Sequence, residues 1–294
     1  MSKVSFILPC RGETRRIGNE TFLQRTVRDI YEKATGEFEV IVGFNGPPFQ
    51  NFPNWPNLKI IKLPESIGIK MLVNVLVATA SGKYIYKSDS HCAFSKGIDE
   101  VLQSDIKDDW IVTPRFYVQN PETWEWQDDR FYDYFYLSSP FTDPRGFRFK
   151  AGGHWPQRTQ ERLLSHPDID ETPQIHGSGW MINREYYFEM LGGFPNIDPS
   201  GHGQEPIWLG LKNWLLGGKV MVNKKAWYSH VHQQNGDKDW HYTKDEERVS
   251  YDIAAKTFMK DPRMVGWLEK NMPMPTWPDD WRERLTKWKE QNGN

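Results

Sequence analysis

Residues 68–94 read GIKMLVNVLVATASGKYIYKSDSHCAF. The stretch up to Gly82 is too long for a strand and closes on Ser-Gly, as helices do, while Lys83 to Lys87 alternates as a strand. That strand ends by presenting Asp89 and His91 two positions apart. In extended chain such residues point to the same side, so the pair can share one cation. A carboxylate oxygen and an imidazole nitrogen suit Mn²⁺; Mg²⁺ suits less well because it prefers all-oxygen shells. Taken alone, Asp-x-His is also how a turn-capping acid beside a solvated histidine reads. Its place in the fold decides.

Working outward, KVSFILPC is an apolar run of strand length, and NETFLQRTVRDIYEKATG places Phe22, Val27, Ile30 and Ala34 at helical spacing. Asn19 is suited to cap that helix and Gly36 to end it. FEVIVGF reads as a second buried strand stopped by Asn45, Gly46 and two prolines, and LKIIKLP as a third. Apolar strands alternating with helices predict a parallel sheet covered on both faces, a nucleotide-binding type of α/β half. Ligands of such sheets sit beyond the carboxyl ends of the strands, which is where Asp89 and His91 fall.

From about 115 to 172 the pattern breaks into aromatics, prolines and charges, which predicts an irregular insertion or lid. Order returns at QIHGSGWMINREYYFEMLGGF, a short strand and a helix closed by Gly192 and Gly193. EPIWLGLKNWLLGG predicts a further helix, with Pro206 in its first turn and Ile207, Leu211, Trp214 and Leu215 on one face. KVMVN and AWYSHVH read as two short strands, and KDEERVSYDIAAKTFM as a helix. The expected organisation is a catalytic unit over 1–235, made of a nucleotide-binding half (1–110), an insertion (111–173) and an acceptor half (174–235). A helical C-terminal extension over 236–294 follows.

The 294 residues carry a formal net charge of −2, which exerts no global pull on nucleic acid or acidic membranes. Two cysteines, Cys10 and Cys92, cannot build a disulfide framework. With no basic leader at the N-terminus and no apolar stretch of spanning length, the expected setting is cytoplasmic. Aromatic content is high, at 14% with fourteen Trp. Most of these are expected in packing, and a minority as platforms for sugar rings or bases.

The 68–94 segment resembles that of GT-A fold glycosyltransferases, particularly the polypeptide N-acetylgalactosaminyltransferases and their family 2 relatives, which end it in an Asp-Ser-His form of the D-x-D motif. GSGWMINREYYFEMLGGF resembles the family's stretch leading into the acceptor site. GHGQEPIWLGLKNWLLGGKV stands where the family has Gly-Gly-Glu-Asn opening a helix, and YSHVHQ where it has its third metal ligand, a histidine. The likeness runs in the same order over about 3–104 and 174–234. It implies a GT-A (Rossmann-like) α/β fold with a mixed central sheet, an irregular insertion and a C-terminal extension. It also implies a nucleoside-diphosphate sugar donor, UDP-sugar first, with Mn²⁺ held by Asp89, His91 and His230. His232, on the same side of its strand, is the alternative ligand or a phosphate contact.

By the same resemblance, nucleotide contacts are expected from Pro9, Arg11 and Glu13 after the first strand, and from Asp89. A surface ion pair of Arg11 with Glu13 is the plainer alternative. The chain departs from the family in GFNGPP, where Asn45 replaces the aspartates that meet uracil; an amide can still pair with a pyrimidine. It also lacks the arginines of the helix before Asp89, leaving Lys70 as the nearest cation. Glu205 is the expected catalytic acid group, a base in inverting relatives and a substrate anchor in the retaining N-acetylgalactosaminyl group. The residues leave both open, as they do a simple capping role.

His154, His176 and His202 are expected to be structural or solvent facing. The segment PRGFRFKAGGHWPQR gathers Arg145, Arg148, Lys150 and Arg158 among aromatics. It reads as a solvated loop or as a groove for a polyanion. Because the overall charge is acidic and these basic residues are few, the acceptor expected first is a cytosolic glycan, and second a hydroxylated base of DNA. A sugar nucleotidyltransferase, hinted by RGETRR, would need a Gly-rich phosphate loop and a following Lys signature, which this sequence does not show. A non-catalytic carbohydrate or nucleic-acid binder would not need Asp89, His91 and Glu205 together.

Overall fold

The computed structural model describes residues 2–149, 153–163, 167–196, 204–232 and 244–293. Ten strands form one sheet: β1 (Val4–Cys10), β2 (Phe38–Asn45), β3 (Leu58–Leu63), β4 (Tyr84–Ser88), β5 (Cys92–Phe94), β6 (Trp110–Gln119), β7 (Trp126–Tyr132), β8 (Ile169–Glu171), β9 (Gly179–Asn183) and β10 (Lys219–His230). In space the order is β8-β10-β6-β9-β4-β1-β2-β3, with β5 added to β10 and β7 to β6. β4, β1, β2 and β3 run parallel, as the alternation of strands and helices predicts. β9 then inserts antiparallel between β4 and β6, so the sheet is mixed.

β1 is buried at all seven positions, which is why it shows no polar alternation. β3, at the edge, carries Lys59 and Lys62 instead and is guarded by them against pairing with another chain. On one face lies α1 (Phe22–Lys33), packing Leu23, Val27 and Ile30 against β1 and β2 with Ile98 and Leu102 of α3 (Ile98–Asp105). On the other lies α2 (Ile69–Thr79), with Leu72, Val73, Leu76 and Val77. The helices Lys244–Lys260, Met264–Asn271 and Trp281–Asn292 join that second core through Ala255, Phe258, Leu268, Trp281 and Leu285.

Local expectations differ from the structure in four places. α1 is capped by Thr21, not Asn19: Thr21 Oγ1 accepts from Gln24 N, the Gln24 side chain accepts from Thr21 N, and the helix stops at Lys33 before Gly36 is reached. KVMVN and AWYSHVH belong to one strand, β10, whose register against β6 shifts between Asn223 and Trp227. The polar Lys224-Lys225 step is thus a bulge within a strand. Pro206–Leu211 is a π-helical turn buried at every position, so Trp208 and Leu209 are covered along with the predicted face. The stretch after 115 is also more ordered than its composition suggests, because β6 runs on to Gln119 and returns as the antiparallel β7.

Candidate active site

Sheet pairing brings the predicted ligands together from distant parts of the chain. β5 is held on α1, where Thr26 Oγ1 accepts from Cys92 N (3.0 Å) and Asp29 Oδ2 from Phe94 N (2.7 Å). It also pairs with the end of β10, setting Cys92 opposite His230, while the His91 carbonyl accepts from Val231 N (3.1 Å). Asp89 N donates to the Ser178 carbonyl just before β9 (3.0 Å). The result is that Asp89, His91 and His230 each offer a ligand atom within 4.8 Å of the others.

The donor chemistry fits a divalent ion. Asp89 Oδ2 and His230 Nε2 are 3.2 Å apart, about the separation of adjacent ligands on an ion with bonds near 2.1 Å. His91 Nδ1 lies 2.9 Å from Glu13 Oε2, so a ring that donates to that carboxylate keeps Nε2 as its nitrogen for a metal. Glu13 is in turn clamped by Arg15 (2.8 and 2.6 Å). Burial works against the Glu13 charge, yet Arg15 and His91 hold its carboxyl down to about 2. Burial, then His91, keep the His230 imidazole neutral down to about 3, the form that ligates metal.

A residue that the sequence reading missed sits beneath this group. Lys87, 1% exposed, donates to Asp89 Oδ1 (2.6 Å), to Glu205 Oε2 (3.2 Å) and to the Gly177 carbonyl (2.7 Å). Burial disfavours its charge, but Asp89 and Glu205 outweigh that and raise its pKa. The available signal was a lysine facing the same side as Asp89 in an otherwise apolar strand. Burial pushes the Glu205 carboxyl above its ordinary range, against the pull of Lys87, while Asp89 adds to the rise.

Glu205 makes no capping hydrogen bond to the π-helical turn it precedes. Its Oε1 is buried with no hydrogen-bond partner among the described residues. The backbone is unusual on both sides: Gln204 has φ of 67°, and Glu205 is helical (φ −53°, ψ −46°) before a proline. Close approach is permitted by Gly177, where a Cβ would stand 3.0 Å from Glu205 Oε2. The SGHG approach to Glu205 lies outside the described residues.

Pro9 is buried near the carboxyl end of β1, with Arg11 just beyond it. Asn45 ends β2, and its Oδ1 accepts from Ile67 N (2.8 Å), which ties down the loop before α2. Lys70, buried on α2, is among the charges acting on Glu205. His232 is exposed with its ring 5.1 Å from that of His230, and it is not in the three-residue ligand group. His176 is stacked on Phe116 (4.5 Å) and bonded to the Tyr228 hydroxyl (2.6 Å), and His154 packs on Tyr132 (4.0 Å). Both belong to an aromatic wall behind His230, whereas His202 lies outside the described residues.

The basic segment does not present a row of open charges. Arg145 and Arg148 both pair with Asp143 (3.1 and 2.9 Å), and Arg158 lies over the Trp155 and Tyr134 rings (4.9 and 5.4 Å). Lys150 lies outside the described residues.

The family described as glycosyl transferase family 2 matches residues 5–190. Polypeptide N-acetylgalactosaminyltransferase 5 of Caenorhabditis elegans is 26% identical over 189 residues, covering 62% of this chain and 28% of that protein. The putative polypeptide N-acetylgalactosaminyltransferase 13 of Drosophila melanogaster is 25% identical over 223 residues, covering 73% and 37%. The chain therefore spans only about a third of the curated relatives it matches.

Among solved structures, GalNAc-T7 with UDP, GalNAc and Mn²⁺ superposes with a TM-score of 0.68 at 17% identity, over 99% of this chain and 56% of that one. TarS of S. aureus with UDP-GlcNAc gives 0.57 at 14%, over 90% and 69%. The shared mixed sheet is the GT-A fold. Because the family match takes in more than half of the sequence, including the strand that ends at Asp89, this chain belongs to glycosyl transferase family 2.

Proposed function

We propose that the chain is a metal-dependent glycosyltransferase that moves a sugar from a UDP-sugar to a hydroxyl of a cytoplasmic glycan. The observation that carries this reading is the convergence of Asp89, His91 and His230 at the carboxyl ends of the strands, where an α/β sheet binds nucleotides. The UDP and Mn²⁺ named with GalNAc-T7, and the UDP-GlcNAc named with TarS, support the donor class. No helix among the described residues is long and apolar enough to cross a membrane.

Asp89, His91 and His230 hold Mn²⁺ in preference to Mg²⁺, which supplies positive charge against the diphosphate leaving group. Arg11 and Lys70 face the phosphates, Pro9 and Glu13 border the nucleotide, and the Asn45 amide meets the pyrimidine. Lys87 fixes one oxygen of Asp89 and one of Glu205, which leaves Glu205 Oε1 to accept from a sugar or acceptor hydroxyl. A glycan acceptor is favoured over DNA because Arg145, Arg148 and Arg158 are engaged within the protein.

Calorimetric titration with UDP tests the proposal. Binding is expected with Mn²⁺, reduced with Mg²⁺ and abolished by chelator, and lost in Asp89→Ala and His230→Ala. Undiminished, chelator-insensitive binding in either variant would refute the metal assignment.

A further inference from the structure

β10 alternates its side chains between two environments. Tyr228 and His230 face Phe116 and the ligand group, whereas Trp227 faces the other way, toward Tyr117 and Trp126 of the β6–β7 hairpin. On that opposite side is a cleft of about 410 Å³ lined by Ala93, Gln119, Trp124, Glu125, Trp126, Asp128, Asp129 and Trp227. None of these residues belongs to the site described above.

The cleft is built as a corner. Trp126, 38% exposed, is backed by Tyr117 in a parallel stack (4.0 Å, 3°) and meets Trp227 nearly at right angles (5.0 Å, 83°). Two buried donors have no hydrogen-bond partner among the described residues, Gln119 Nε2 and Trp124 Nε1, and both residues line the cleft. Their residues are 2% and 8% exposed. Buried unsatisfied donors are uncommon in folded proteins and call for a partner. Asp128 is engaged by Arg130 (2.8 and 2.6 Å), while Asp129 is exposed at the rim with Glu125.

We propose that this cleft is a second, non-catalytic carbohydrate-binding site that takes a neutral pyranose residue. The C–H face of the sugar covers the Trp126 indole, its hydroxyls donate to Glu125 and Asp129, and its oxygens accept from Gln119 and Trp124. Carboxylates at the rim exclude phosphorylated ligands. An ammonium group would satisfy the rings and acids, but it offers no acceptor to the two donors. The volume is that of a small-molecule site.

The test uses the full chain labelled with 5-fluorotryptophan, without UDP or metal, so its failure leaves the proposed transfer reaction untouched. Maltotriose, cellotriose and triacetylchitotriose are titrated separately and followed by fluorine NMR, with tetramethylammonium as the rival probe. At least one trisaccharide should shift the Trp126 and Trp227 resonances with chelator present. Its affinity should fall at least about tenfold in Trp126→Ala. Asp129→Asn, at an exposed position, gives the same reading should Trp126→Ala not fold. No shift with any trisaccharide at about 10 mM, a shift that survives both variants, or a response to tetramethylammonium alone would overturn the proposal.

Discussion

Lys87 is held by two carboxylates and a carbonyl at a depth where an unpaired charge is not tolerated. Replacing it by Met leaves the buried Glu205 and the half-buried Asp89 carboxyls without their shared cation, and breaking such a buried pairing costs about 3–5 kcal/mol. Urea unfolding should show that loss in Lys87→Met, and a smaller one in the double variant with Glu205→Gln, which removes one of the stranded charges. Equal losses would mean that Lys87 acts on its neighbours only through packing. Glu205→Gln alone is expected to keep UDP affinity while lowering sugar transfer at least about a hundredfold, the scale of a proton-transfer group. Near-normal transfer would leave Glu205 a structural acid. Asp89 and His91 were legible because their spacing is local. The contact of Lys87 with Asp89 is local too, but its bridge to Glu205 was not legible, since Glu205 is 118 positions away and only the fold sets them 3.2 Å apart.

Among the elements, β2 shows how one side chain joins separate segments. Glu39 accepts from Ser5 Oγ on β1 (2.6 Å) and from Ser81 N before β4 (2.7 Å), and pairs as an ion with Lys59 Nζ on β3 (2.7 Å). Burial opposes its ionisation, but Lys59 and the serines hold the carboxyl down from 4.5 to about 2. A depressed acid contributes stability that is complete above its unfolded pKa and lost as pH falls through its folded one. The gap in urea midpoint between the native chain and Glu39→Gln should therefore be widest near pH 6 and shrink as pH drops from about 4.5 toward 2. A gap that does not narrow with acid would remove the charge from the account. The strand itself was readable from its apolar run, yet nothing local marks Glu39 as the joint of three neighbours.

At the scale of the whole molecule, the C-terminal helices and the stretch after 115 meet. Trp277 Nε1 donates to the Leu137 carbonyl (2.6 Å), and the Trp277 and Trp281 rings meet at 90°. Trp281 is buried in the core that also contains Leu72 and Leu76 of α2. Trp281→Ala should therefore cost about 3–5 kcal/mol, as for a buried aromatic, and lower the midpoint of one shared transition. Fluorescence and far-ultraviolet dichroism should report the same midpoint. Two separated transitions would show that the last helices unfold on their own.

Sequence alone determined the order of the main strands and helices from β1 to β4, because a run such as VSFILPC buried on both faces announces itself by composition, whereas β5 and α3 were not foreseen. It also pointed to Asp89 and His91 as a pair, although they lie in the turn between β4 and β5 and not in extended chain, so that turn and not strand alternation sets them together. Tertiary structure decided what depends on pairing across the chain. The antiparallel insertion of β9, the bulge that makes β10 one strand, and the seating of β5 on β10 that brings His230 to Asp89 are all set by register between distant segments. Register follows from how whole faces are buried, and a one-residue slip would turn His230 and Trp227 each to the other's side of the sheet.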